Sequence, residues 1–497
     1  MKLIFRLFTC ISALTLLGAC DLKPEAPLKE FRIEGVAQCS HNSPQAVIKF
    51  SFDETDSNKK IRCSAVDNVD WITELDTSNS GEIIVHIEEN SGETRTATIT
   101  LSAAGYKSAK IEFKQYGAPT EVASHTLMFY FFGRSLDRYF KGNIEDAIKA
   151  IESGILGVNN RVILFRQEDK STAYIAELLY DIESGKCSEN IMETGITIEG
   201  NPIKPEFITK VIDKMASIAP AERYGLVMAG HGQAWLTREM LNGSSGISTY
   251  SYTAPLFTPA AGAEVTRAFG ESNVQVNPGE IAEGINNSIA DIDYILFDAC
   301  FMSNIESIYE LRNSANYIIA SPCEIMGKGF PYERALPYLF INEGANSDYA
   351  AAAESYYLYY RDSYNSASRC GSVAVYDCSE IEALKDATKD VVKSAKELEN
   401  SSSLQTYDGQ NPHYFYDFGE WVNAIGTDRE AVNRFNNQLE KTIIAKYTLD
   451  SFYSAYGSYG TYPIDINVYS GVTTSAPSTK LNTYWMQTEW YKSVWEL

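Results

Sequence analysis

Histidine is scarce in this chain: among 497 residues only His41, His86, His125, His231 and His413 occur. Any imidazole used as a base must be one of these five, which narrows the search before a motif is read. Positive charge is also in short supply, with 42 Lys and Arg against 65 Asp and Glu and a formal charge of −23. That balance argues against nucleic acid as a partner and offers no polybasic patch to anionic lipid. The nine cysteines include no CxxC pair and no metal-finger spacing, so no metal site is expected. No calcium-loop motif occurs; no cofactor is expected, and calcium use is left undecided by the sequence. Past the first twenty residues no apolar run is long enough to cross a bilayer.

What is present begins with a processing segment, residues 1–20. Lys2 and Arg6 supply a basic start and Leu7 to Leu17 a short apolar stretch, too short to span. It closes as Leu17-Gly18-Ala19-Cys20, which resembles a bacterial lipobox. The resemblance implies lipidation of Cys20, an extracytoplasmic address on the periplasmic face or the cell surface, and a polar tether over 21–30.

Residues 31–118 alternate apolar and polar in short runs such as Ala46-Val-Ile-Lys-Phe-Ser-Phe52 and Glu82-Ile-Ile-Val-His-Ile87. Turn-prone clusters separate the runs, which is the pattern of a small Ig-like β-sandwich. Trp71-Ile-Thr73, Asn90-Ser-Gly-Glu-Thr-Arg95-Thr-Ala-Thr-Ile99 and Phe113-Lys-Gln115 resemble the BACON family of such modules. Relatives of that kind accompany surface glycosidases and peptidases, as glycan binders or as spacers. Trp71 is expected in the core rather than as a sugar platform. Cys39 with Cys63, and Cys370 with Cys378, are close enough in sequence to pair, and equally suited to be buried free thiols.

Ala118-Pro119-Thr120 marks a boundary, and strands and helices then alternate over 122–497. Leu127-Met-Phe-Tyr-Phe-Phe132 and Arg161-Val-Ile-Leu-Phe165 read as strands. A helix is predicted from Asn143 to a stop at Gly154, another from Pro205, and a third from Asn277-Pro278. Tyr317-Ile-Ile-Ala320 and Ser372-Val-Ala-Val-Tyr376 are further strands, and Ser303-Asn-Ile-Glu306 reads as a capping box. The series predicts an α/β domain: a mostly parallel sheet with helices on both faces.

Two of its strands end abruptly in reactive side chains: Tyr224-Gly-Leu-Val-Met-Ala-Gly-His231-Gly232 and Tyr294-Ile-Leu-Phe-Asp-Ala-Cys300. Ligands of open α/β sheets bind beyond the carboxyl ends of the strands, so a base and a thiol are expected at one rim. An imidazole can take the thiol's proton and later protonate a leaving amine. Gly232 permits a tight turn, and its N–H with that of Cys300 would make an oxyanion hole. A helix start just after Cys300 would favour negative charge on sulfur. His125 precedes a strand, at the wrong end for such a site, His413 reads as a loop residue, and Cys323 as a buried structural thiol. Gly327-Lys-Gly lacks the rest of a phosphate-binding loop.

The blocks Met228-Ala-Gly-His-Gly-Gln-Ala-Trp235, Leu296-Phe-Asp-Ala-Cys-Phe-Met-Ser-Asn-Ile-Glu306 and Ala320-Ser-Pro-Cys-Glu-Ile-Met-Gly-Lys-Gly-Phe-Pro-Tyr332 resemble the clostripain family of cysteine peptidases. The likeness spans about 122–497. It implies a caspase-like fold, a dyad of His231 and Cys300, and cleavage of protein or peptide substrates after basic residues. It further implies that Asp298 lines the pocket for the basic side chain, where arginine suits a carboxylate better than lysine does. Lys328 departs from the family pattern, and its charge would oppose a cationic substrate. Self-cleavage between the histidine and the cysteine is also implied, and Arg238 and Arg267 are the only basic residues there. The reading from another class is a non-catalytic surface lipoprotein that binds glycan through its sandwich.

Overall fold

The computed structural model describes residues 27–53, 56, 61–119, 122–157, 159–236, 260, 262–268, 277–340, 347–398, 400–456, 463–478 and 481–496. The leader with Cys20, and Arg238, lie outside the described residues.

The alternating N-terminal runs fold as two four-stranded sheets. One joins β1 (Arg32–Glu34), β3 (Gln45–Ser51), β6 (Glu82–Ile87) and β5 (Ile72–Asp76). The other joins β2 (Gln38–Cys39), β8 (Ala109–Gln115), β7 (Arg95–Ala103) and β4 (Cys63–Val66). Their inward residues share one core, including Ile48, Phe50, Ile83, Val85, Ile99, Leu101 and Phe113. Trp71 belongs to that core, and the Arg95 guanidinium covers its ring at 4.4 Å, so no sugar platform is offered there.

The rest of the chain is organised by a nine-stranded mixed sheet. Its centre is parallel: β10 (Asn160–Gln167), β9 (Ala123–Phe131), β13 (Ala221–Ala229), β14 (Ile292–Asp298) and β15 (Tyr317–Ala320). The continuous apolar runs are explained by burial on both faces. Along β9, Leu127, Phe129 and Phe131 enter one core while Met128, Tyr130 and the following Phe132 enter the other. Helices flank the sheet, among them α1 (Asp137–Ala150) and α2 (Pro205–Ile218).

The edges differ from the expected series. An antiparallel hairpin, β11 (Thr172–Asp181) and β12 (Lys186–Thr197), closes one side. On the other side β16 (Val373–Asp377) and β18 (Ile443–Tyr447) also run antiparallel. A two-residue strand, β17 (Tyr416–Asp417), pairs with Thr473–Thr474 outside this sheet. The helix α1 starts at Asp137, six residues before the predicted Asn143, and ends in a wider turn in which Gly154 adopts φ 89°.

The sandwich docks on the β11–β12 hairpin through polar contacts. Ser40 donates to Glu177, Gln38 Nε2 to the Leu179 carbonyl at 3.0 Å, and the Tyr116 hydroxyl to Asp181 at 2.8 Å. None of these touches the rim carrying His231 and Cys300. The seven described cysteines are all free thiols, so neither candidate pairing forms. The Cys370 thiol instead donates to the Tyr453 carbonyl at 3.1 Å.

Candidate active site

The parallel register of β13 and β14 sets Ala229 opposite Asp298, so both strands leave the sheet together. Two residues later they deliver His231 and Cys300 to the same rim. Each turn is tight: Ala234 and Phe301 adopt φ 54° and 62°, uncommon for residues with a side chain. The role of Gly232 is closeness rather than a left-handed turn. A Cβ there would stand 2.1 Å from the Cys300 carbonyl oxygen and 2.7 Å from its amide nitrogen, so only glycine lets the two backbones meet.

Between them lies a piece of the chain itself. The Gly232 N–H donates to the carbonyl of Arg267 at 2.8 Å, and the Cys300 N–H reaches the same oxygen at 3.4 Å. The segment runs antiparallel to the stretch after β15: the Arg267 N–H donates to the Ile325 carbonyl at 2.8 Å, and the Gly327 N–H to the Val265 carbonyl at 2.7 Å. Thr266 faces Met326 in this short ladder. Adding a strand in this way is how an extended peptide is commonly held by an enzyme or a binding domain.

The side chain of Arg267 is wholly buried, and each of its nitrogens has a partner. Nη1 lies 2.7 Å from Asp298 Oδ2 and 3.1 Å from the Asp298 carbonyl; Nη2 donates to Asn143 Oδ1 at 2.8 Å and Nε to the Gly327 carbonyl at 3.1 Å. The Tyr332 hydroxyl donates to the same Asp298 oxygen at 2.6 Å. Burial pushes the Asp298 carboxyl up, and Arg267 and then Tyr332 pull it back without cancelling the rise. Lys328 does not oppose the cation. Its Nζ lies 3.4 Å from Asp146 Oδ2, on the half-exposed outer side, while its backbone carbonyl accepts from Asn143.

His231 is oriented by Ser135, whose hydroxyl lies 2.7 Å from Nε2. Nδ1 has no hydrogen-bond partner among the described residues, and the Ala268 backbone lies beside the ring. Burial first, then the Arg267 charge, lower its pKa to about 4. The Cys300 thiol is pushed well up by burial and then by the Glu324 charge, against the Ile325 N–H, which donates to Sγ at 2.9 Å. With the segment in place, both groups are therefore neutral near pH 7.

The expected capping box is not formed. Asn304 caps the helix Ile305–Leu311, and Ser303 bonds the Gly471 carbonyl and the Tyr376 hydroxyl. Glu306 is buried and accepts from Thr474, Ser475 and Trp485. The donor at sulfur is thus the Ile325 amide rather than a helix terminus. His125 is buried at the far end of β9, as its sequence position implies.

A thiol and an imidazole at the carboxyl rim of a caspase-like sheet, beside a closed pocket holding an arginine, define a cysteine peptidase. Residues 263–480 match the clostripain family. The chain is 23% identical over 443 residues to clostripain of Hathewaya histolytica, covering 74% of this chain and 79% of that one. A secreted cysteine protease of Bacteroides thetaiotaomicron, "iotapain", superposes with a TM-score of 0.65 at 29% identity, over 75% of this chain and all of that one (100%). An inactive zymogen protease from Parabacteroides distasonis superposes with a TM-score of 0.61 at 27% identity, over 76% and 99% of the two chains. The chain is a clostripain-family cysteine peptidase. Among the described residues no helix is long and apolar enough to cross a membrane.

Proposed function

We propose that this peptidase cleaves protein or peptide substrates after basic residues, arginine before lysine, and that its first substrate is its own bond between Arg267 and Ala268. The observation that supports this most is the path of residues 265–268, whose carbonyl, backbone and side-chain contacts are those a substrate needs. Cys300 is the nucleophile: Sγ bonds to the Arg267 carbonyl carbon as the proton of the thiol passes to His231. The oxygen's charge is met by the N–H groups of Gly232 and Cys300. Collapse breaks the bond to the Ala268 nitrogen, which takes the proton from His231 and leaves. Water then hydrolyses the thioacyl-enzyme, with His231 accepting its proton, and frees the arginine carboxylate. Asp298 is the specificity carboxylate. Ser135 positions the His231 ring.

Release of the segment opens the same pocket to arginine side chains supplied from elsewhere. It also removes the Arg267 charge that depresses His231, so the imidazole becomes the stronger base when the site is empty. A lipid anchor at Cys20 and a tether over 21–30 hold the protein at the membrane, with a BACON-like module over 31–118 as spacer or glycan binder and the peptidase over 122–497.

An acyloxymethyl ketone carrying arginine tests the catalytic assignment. The wild-type chain takes one label, and peptide mapping finds it on Cys300; the His231→Ala chain labels far more slowly. A label on Cys323, or none on an intact folded chain, refutes the assignment.

A further inference from the structure

The pocket beside the arginine pocket has its own buried charge. Glu324, four residues past the end of β15, is completely buried and is not used in the reaction above. Its Oε2 accepts from the Thr266 hydroxyl at 2.6 Å and from the Ala455 N–H at 3.1 Å, while its Oε1 accepts from Ser454. Ser454 and Ala455 follow β19 (Ser451–Tyr453), and this stretch walls the far side of the cleft. Its Tyr453 hydroxyl accepts from the Glu264 N–H at 2.8 Å, and its Tyr456 hydroxyl donates to the Ala268 carbonyl at 3.1 Å. The wall thus follows the segment on both sides of the bond between Arg267 and Ala268.

We infer that Glu324, held by Ser454 and Ala455, is a specificity residue that selects a short hydroxyl side chain, threonine or serine, immediately before the basic residue. The inference rests on the proposed substrate path of residues 265–268. Two physical reasons carry it. The carboxylate stands at hydrogen-bond distance from a γ-atom, so a longer side chain has no depth to occupy. Valine has the shape of threonine but would leave one buried carboxyl contact unmade, and discrimination against an analogue lacking a hydrogen-bonding group is strong when the site group is buried. A hydroxyl also suits a carboxyl that burial holds at about 7, because it can donate to the charged form and accept from the protonated one.

The test uses the full chain and peptides of sequence Glu-Val-Xaa-Arg with a fluorogenic leaving group, where Xaa is Thr, Ser, Val or Leu. In the wild type, kcat/KM for threonine exceeds that for valine by about tenfold or more. The preference shrinks to a few-fold in Glu324→Gln, which keeps shape and one acceptor, and vanishes in Glu324→Ala. Should the alanine variant not fold, the wild-type series and the glutamine variant decide. A second readout is within the chain: Thr266→Val slows the appearance of self-cleavage fragments about tenfold, and Thr266→Ser does not. Equal turnover of the threonine and valine peptides, with equal self-cleavage, overturns the inference while leaving the peptidase reading intact. Failure of the peptidase reading looks different: none of the four peptides is cut and Cys300 takes no label.

Discussion

In the Asp298→Asn variant, kcat/KM for peptides with arginine at the cleaved position is expected to fall about a thousandfold, because removing one partner of a buried ion pair strands the other charge. Asparagine keeps the shape of the pocket, so the loss isolates charge from packing. In wild type the Arg267 guanidinium spends its donors on Asp298, Asn143 and the Gly327 carbonyl with no exposure to solvent. Without the carboxylate a cation must be desolvated there with only neutral acceptors around it. The check is a fluorogenic panel with Arg, Lys, Asp and Leu at the cleaved position, run on both chains. Activity on Leu or Asp peptides that equals the arginine rate and survives the substitution would remove Asp298 from the pocket. Self-cleavage slows in parallel, since the same contact holds Arg267.

The second large effect comes from backbone shape. Gly329 adopts φ 73°, and a Cβ there would stand 2.2 Å from Arg267 Nη2 and 2.5 Å from Asp298 Oδ2. In Gly329→Ala the floor of the pocket rises into the volume of the guanidinium, and the backbone is strained as well. Arginine peptides are expected to lose about a hundredfold in kcat/KM, the cost of a misplaced substrate. Lysine, a slimmer cation, loses less, so the ratio of Arg to Lys turnover falls. In chains already cut after Arg267, alkylation of Cys300 by iodoacetamide proceeds at the wild-type rate, because that reagent needs no pocket. A uniform loss across Arg, Lys and iodoacetamide would show global damage instead.

What could be read from the residues alone follows from how local the signals are. β9, β13 and β14 are near-continuous apolar runs, and strands buried on both faces have no other pattern. His231 and Cys300 stood out because each interrupts such a run at its carboxyl end. The hairpin was not legible. Thr172-Ala-Tyr-Ile-Ala-Glu-Leu-Leu-Tyr-Asp181 mixes helix and strand formers, and its strand state is set by pairing with β10. β18 continues from the helix Arg429–Thr442 without a breaker, so its period changes unannounced.

Much of the site was beyond local reading for the same reason. Ser303 and Glu306 have the spacing of a capping box, yet their partners lie near Gly471 and Thr474, which no local rule anticipates. The arginine pocket draws Asn143 from α1, Asp298 from β14 and Tyr332 from the start of the later helix Tyr332–Leu339. Of these only Asp298 was singled out, and by the resemblance to the clostripain family rather than by a local signal. Lys328, read as a charge against the substrate, turns outward because Asp146 on α1 takes it. Glu324 carried no signal beyond its place in a quoted block, since its meaning comes from Thr266 and Ser454, far away in the chain.

Self-cleavage requires the Arg267 carbonyl to lie where the thiol can attack it. Intact-mass measurement and N-terminal sequencing of the purified wild type and Cys300→Ala chains test this most directly. Wild type should resolve into one fragment ending at Arg267 and one beginning Ala268-Phe269, while the Cys300→Ala chain stays whole. A wild-type chain that remains unbroken while it turns over arginine peptides, or one cut after Arg238 instead, would contradict the account.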